Sequence, residues 1–350
     1  MKFCIRKLAI CIGASAFGFL HGASAFAQSN VNMYGIIDTF VGATQTPGTQ
    51  RAIGESGGGL TTSFFGFSGS EDLGDGLKAI FALEAYFQPT TGASGKSATD
   101  SFFGRNAWVG LESDRYGTLR LGRLAPNLFI AAVKFNPFSN SFTFSPMMLD
   151  MYRSYGALGT LGDTDWSNAV AYMSPDLAGF HVGAQYAFGS TAGEGGAHKD
   201  DAIVMYDHGR FSAAAVYQYL NYHLAVGDIG TSLPGVPGLK SQESFFLGAS
   251  WDAGFARLYG TYDRTSNTSS IRSVNVNSGQ IGVAIPIGTS SILASWEHMA
   301  ASNGDRRNTA SVGYDYPLSK RTDLYAVYKY DYVAGDTSGQ SMGVGIRHRF

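Results

Sequence analysis

The chain has 350 residues, of which 15% are charged and 13% aromatic; glycine is abundant at 46, the formal net charge is −2, and the mean hydropathy is −0.03. A bundle of membrane helices would be far more apolar, and a soluble domain averages about 25% charged residues. Near-neutral hydropathy with many aromatics and glycines fits strands that show one face to lipid and the other to water, and no basic run points to nucleic acid.

Residues 1–27 read as a cleaved export signal. Lys2, Arg6 and Lys7 precede a short apolar stretch, Leu8 to Leu20, and Ala25-Phe26-Ala27 is a small-x-small cleavage site. Leu8-Ala9-Ile10-Cys11 resembles a lipoprotein box but lies too early and has Ile where a small residue is wanted. Both cysteines, Cys4 and Cys11, fall in this leader, so the expected mature chain, 28–350, has no disulfide and must rely on its strand ladders. Its 22 basic and 27 acidic residues give it a net charge of about −5.

Period-two alternation, the mark of a half-buried strand, recurs along the rest. The first five strands are expected at 31–42, 61–70, 77–88, 102–112 and 118–124, with Glu71 to Gly76 as a turn and small-residue loops before 61 and at 89–101. Residues 125–165 then show no sustained alternation; a stretch of this length argues for a functional loop. Eleven more strands are expected near 166–174, 180–189, 201–208, 211–221, 244–252, 255–263, 274–286, 290–299, 308–316, 323–332 and 341–350. Connections alternate short and long. No amphipathic helix longer than two turns is expected, and there is no fixed repeat of the kind a β-helix would show. A spanning strand needs about 9–11 residues, so the expected fold is all-β: a sixteen-stranded antiparallel transmembrane β-barrel, with the long 125–165 loop free to fold into the lumen.

The sequence resembles the sixteen-stranded general diffusion porins of Gram-negative bacteria over the whole mature chain. The resemblance is carried by Met33-Tyr34-Gly35-Ile36-Ile37-Asp38, by Gly69 to Gly74 with Gly76 to Ala79, and by Phe103 to Leu111. It continues in Tyr116 to Arg123, Tyr172 to Pro175 with Gly179-Phe180, Leu318 to Thr322, and the terminal Phe350. It implies a homotrimer in the outer membrane, in contact with lipid and lipopolysaccharide. Each barrel would pass small hydrophilic solutes and ions and have its third long loop, about 125–165, as a constriction. It also implies that Phe350 is read as an assembly signal and that the 89–101 loop reaches over a neighbouring subunit. No cofactor or metal is implied.

Strand parity places charges on a water face, because charge facing lipid is costly. Phe81, Leu83 and Phe87 are expected outward, so Lys78 and Glu84 point inward; Phe102 and Trp108 outward, so Arg105 inward; Leu119 and Leu121 outward, so Arg120 inward. Asp38 is expected inside, as are Phe64 and Arg123. The loop adds Lys134, Asp150, Arg153 and Asp163. Opposed charges at the narrowest zone would select solutes by size and charge. Relatives usually carry an arginine where Phe64 stands and often another basic residue where Asp165 stands. The expectation is therefore a pore less anion-selective than its relatives, neutral or mildly cation-selective. Phe129, Phe135, Phe138, Phe142 and Phe144 either pin the loop to the wall or form an aromatic track for solutes.

Catalysis has no support in the sequence. The histidines are not spaced as metal ligands, and no Gly-x-Ser-x-Gly motif occurs. The rival readings are a substrate-selective channel of the same fold, for a sugar or an organic acid, and a barrel kept as an adhesin.

Overall fold

The computed structural model describes residues 30–153, 155–189, 197–221, 233 and 235–350. The export signal expected at 1–27 lies outside the described residues.

Among the described residues, seventeen strands form one antiparallel sheet. The first six are β1 (Asn30–Thr44), β2 (Ala52–Gly57), β3 (Phe64–Gly74), β4 (Leu77–Tyr86), β5 (Asn106–Ser113) and β6 (Gly117–Leu124). Two short helices follow, α1 (Asn127–Lys134) and α2 (Pro146–Tyr152). The next strands are β7 (Trp166–Met173), β8 (Phe180–Phe188), β9 (His198–His208), β10 (Phe211–Asn221) and β11 (Leu239–Asp252). The last six are β12 (Arg257–Ser269), β13 (Val274–Ile287), β14 (Ser290–Ala301), β15 (Arg306–Pro317), β16 (Thr322–Val333) and β17 (Gly339–Arg349). β17 pairs with both β16 and β1, so the sheet closes on itself. Phe350 completes the seam: its N–H donates to the Gly35 carbonyl at 3.1 Å and its carbonyl accepts from the Gly35 N–H at 3.2 Å.

The barrel has sixteen wall positions because β2 and β3 share one. β3 pairs with the first half of β1 and β2 with the second half. Between them, residues 58–63 leave the wall and turn inward. β2 was not expected, since Ala-Ile-Gly-Glu-Ser-Gly has no apolar alternation. Outward-facing residues such as Val31, Leu119, Leu121, Val344 and Ile346 are exposed, as a lipid-facing wall requires.

Asp38 holds the inward turn. Its carboxylate accepts from the N–H groups of Gly59 (3.0 Å), Leu60 (2.9 Å) and Thr61 (2.8 Å), and from the Tyr325 hydroxyl at 2.5 Å. Its backbone bonds Gly58 and Ser63. Asp38 is fully buried, which corrects its expected place on the water-lined wall: it faces inward, but the turn it organises covers it. Asp38→Ala is expected to cost about 2–4 kcal/mol, because several buried donors lose their acceptor at once. Loss of the folded band at lower temperature, by heat-dependent gel mobility, checks this; an unchanged transition would contradict it.

The 125–165 segment makes its contacts on the inward face of the wall. α1 lacks a capping side chain at Pro126, and Asp201 of β9 takes that role, accepting from Asn127 N at 2.7 Å and Nδ2 at 2.6 Å, where a carboxylate favours a helix N-terminus. α2 starts on Ser145, whose hydroxyl accepts from Met148 N, with Pro146 at the first helical position. Four of the five loop phenylalanines are buried, and wall glycines make room for two of them. A Cβ at Gly248 would lie 2.5 Å from the Phe135 ring, and one at Gly313 would lie 3.0 Å from Phe138. Ser141 and Thr143 bond the carbonyls of Gly59 and Gly58, tying the segment to the inward turn. The rings therefore pin the segment, and only Phe142 is left lining a cavity.

Candidate functional site

Two cavities flank one cluster of charged and aromatic side chains on the β1–β8 side of the barrel. The larger, about 500 Å³, is lined by Thr62, Ser63, Lys96, Phe142, Arg153 and Asp163, among others. The smaller, about 330 Å³, is lined by Tyr34, Glu84, Trp108, Arg120, Asn127 and Gln185, among others.

Glu84 and Arg105 stand at the centre. Glu84 lies on the inward parity of β4, and Arg105 Nε sits 2.9 Å from its Oε2. Tyr34 donates to the other carboxylate oxygen at 2.5 Å, and Asn106 Nδ2 also bonds Glu84. The Arg105 guanidinium lies over the Phe64 ring, 4.2 Å from its centroid, a desolvated cation–π contact. Phe64 faces inward as expected, but it is the floor under Arg105 rather than a free aromatic surface; it is 6% exposed.

Arg105 faces inward for a different reason from the one parity suggested. β5 begins only at Asn106, and Val109 and Leu111 take its lipid face. Trp108 therefore faces inward, contrary to expectation. Its Nε1 donates to Asn106 Oδ1, and Arg120 lies 4.7 Å above its ring. Arg120 takes the expected inward side. Arg123 has the same parity as the outward Leu119 and Leu121, yet the register shifts between Gly122 and Leu124 and turns it in. Gly122 has φ +139, a conformation that a bulge asks of glycine. Arg123 then bonds the Gly104 carbonyl and Ser167 Oγ, each at 2.7 Å, and reaches Asp163 at 3.4 Å.

Asp165 is 2% exposed. It accepts from Thr164 Oγ1 at 2.7 Å and lies 3.8 Å from Lys96 Nζ, which also reaches Asp163 at 3.5 Å. Lys96 comes from the 89–101 loop, which was expected to reach a neighbouring subunit; this side chain turns back onto its own barrel. Sequence reasoning missed it, because an isolated lysine in a small-residue loop carries no periodicity.

Burial pushes the Asp165 carboxyl up to about 6, against the pull of Lys96. Below that pH it takes up a proton, and the cluster loses a negative charge. The reversal potential in a salt gradient is therefore expected to move toward anion preference between pH 7 and pH 5. Asp165→Asn should show the low-pH value throughout, and an identical pH response in that variant would contradict the assignment.

The remaining expected residues lie away from this cluster. Lys134, at the end of α1, pairs with Asp207 at 2.6 Å. Asp150 is fully buried on α2, 3.0 Å from Arg307 Nε, and accepts from Thr309 Oγ1 at 2.9 Å. Arg307 in turn meets both oxygens of Asp331 at 2.9 and 2.8 Å. Asp150 is thus part of the anchor between the 125–165 segment and β15, away from the water-lined surface where it was expected. Among the described residues, no three His, Cys, Asp or Glu side chains are placed to hold a metal ion.

The comparisons with known proteins agree with this architecture. The sequence profile of a Gram-negative porin family matches residues 13–336. An outer membrane porin protein of Bordetella pertussis is 28% identical over 98% of this chain and all of its own length. The anion-selective porin from Comamonas acidovorans superposes with a TM-score of 0.76 at 28% identity, covering 92% of this chain and all of that one. A trimer form of OmpT from Vibrio cholerae shares the fold, with a TM-score of 0.65 at 15% identity, over 92% of this chain and 99% of its own.

Proposed function

We propose, because this chain belongs to the Gram-negative porin family, that its narrowest zone lies where Glu84, Arg105, Arg123, Lys96, Asp163 and Asp165 face one another. The protein is an outer-membrane channel for passive diffusion of small hydrophilic solutes; it is not an enzyme. The 125–165 segment acts as the constriction, filling the β9–β16 side of the lumen and leaving the path along β1–β8. The observation that carries this reading is the run of ion pairs Glu84–Arg105, Arg123–Asp163 and Lys96–Asp165, with Glu84 lining the smaller cavity and Lys96 and Asp163 the larger.

Charge at this zone is close to balanced. Lys96, Arg105 and Arg123 face Glu84, Asp163 and Asp165, and each cation lies within 4 Å of a carboxylate. Paired charges cancel much of each other's field at a passing ion. We read the pore as weakly selective, and less anion-selective than relatives with an arginine at the position of Phe64 and another basic residue at that of Asp165. The trimer form of OmpT supports a homotrimer of independent pores; contact with lipopolysaccharide belongs to the same proposal. Residues 1–27 as a cleaved signal, and Phe350 as the residue read during assembly, complete the proposal. Conductance steps in threes would support the trimer, and steps of one size only would contradict it.

A further inference from the structure

A third cavity, about 350 Å³, opens at the long-loop end between the β1–β2 turn and the 125–165 segment. Its volume is in the usual range for a small-molecule site. Arg153 and Lys329 line it, and among the described residues no Asp or Glu does. The nearby carboxylates of Asp150 and Asp331 are already held by Arg307. Lys329 is 2% exposed, and its ammonium has one bond among the described residues, to the Thr143 carbonyl at 2.7 Å. Arg153 is an exposed residue, and its guanidinium makes no hydrogen bond or ion pair with a described residue. The rest of the lining is rich in hydroxyls and amides, and the side chains of Thr44, Gln50 and Ser56 are likewise unbonded among the described residues. Arg153 also lines the larger cavity of the path, so it stands where the two spaces meet.

A pocket with two cations, no carboxylate and several free hydroxyl and amide groups has one complement. We propose that it captures a small hydroxylated oxyanion, a sugar acid or a sugar phosphate, at the mouth of the pore. Arg153 and Lys329 bind the carboxylate or phosphate, and Thr44, Gln50 and Ser56 bond the solute's hydroxyls. This rests on the reading of the chain as an open diffusion channel. It adds a binding step before the constriction, so the flux of such solutes saturates while that of chloride scales with its concentration.

The test records chloride current through the purified channel in a planar bilayer while gluconate, inorganic phosphate or glucose is added on the long-loop side. Saturable block by gluconate is expected, with no block by glucose. Arg153→Gln should raise the half-blocking concentration about tenfold, the weight of one charge-assisted bond, and Arg153→Lys should recover most of it. Ser56→Ala should weaken block by gluconate but not by phosphate. Block by gluconate alone would assign the site to sugar acids, and block by phosphate as well would extend it to phosphorylated sugars. Equal block by glucose, block that does not saturate, or block untouched in Arg153→Gln would overturn the proposal. A folded protein that gives no channels would instead overturn the channel reading beneath it.

Discussion

Replacing Arg307 with alanine is expected to loosen the 125–165 segment and cost about 3–5 kcal/mol, the usual loss when one partner of a buried ion pair is removed. Arg307 serves two carboxylates on different elements: Asp331 on β16, through two bonds, and Asp150 on α2. It also donates to the Arg153 carbonyl at 3.3 Å, just past the end of α2. Without it, Asp150 and Asp331 have one Thr309 hydroxyl between them, and Asp150 is left as a buried charge without a cation on the movable side. The least costly response is for α2 to leave the wall. Single channels should then flicker and close spontaneously, and the folded band should be lost at lower temperature. Adding Asp150→Asn and Asp331→Asn to Arg307→Ala should recover part of the stability, because the stranded charges are gone. Quiet channels with unchanged heat resistance in Arg307→Ala would show that the segment is anchored elsewhere.

Arg105→Ala is expected to give the largest change in selectivity. It removes a cation and leaves Glu84 with only neutral donors, Tyr34 and Asn106. A unit charge about 6 Å from an ion in bulk water contributes about 0.7 kcal/mol, with opposite sign for cation and anion. The permeability ratio should therefore shift toward cations by up to about tenfold at low salt, and by less as ionic strength rises. Arg120→Ala should shift it in the same direction by less, since Arg120 lies over Trp108 in the smaller cavity and has no paired acid to expose. The barrel should survive both changes, because neither arginine carries a strand-pairing bond through its side chain. Unchanged reversal potentials in both variants would mean that the path does not run along β3–β6.

Much of this site was legible wherever strands are regular. On β4 the outward Phe81 and Leu83 fix Glu84 inside, and on β6 Leu119 and Leu121 fix Arg120. The reading lost its footing where the ladder is irregular. A bulge at Gly122 turns Arg123 inward, and the late start of β5 reverses the face given to Trp108. Asp38 was placed on the correct side, but its covering could not be read from the sequence: the N–H groups it binds belong to a turn outside any strand pattern, and Tyr325 is 287 residues away. β2 carries no apolar alternation, because its side chains find no core to enter. Lys96 is placed by the tertiary fold of its loop, which no local pattern encodes.

The proposed pore is open, and its constriction holds nearly balanced charge. The most direct measurement is the single-channel current of the mature protein in a planar bilayer, with a tenfold potassium chloride gradient across it. Stepwise channels with a reversal potential close to zero at pH 7 are expected. Channels with strong anion preference would contradict the reading of Phe64, Asp165 and the paired charges around Glu84, and folded protein that gives no channels would contradict the pore itself.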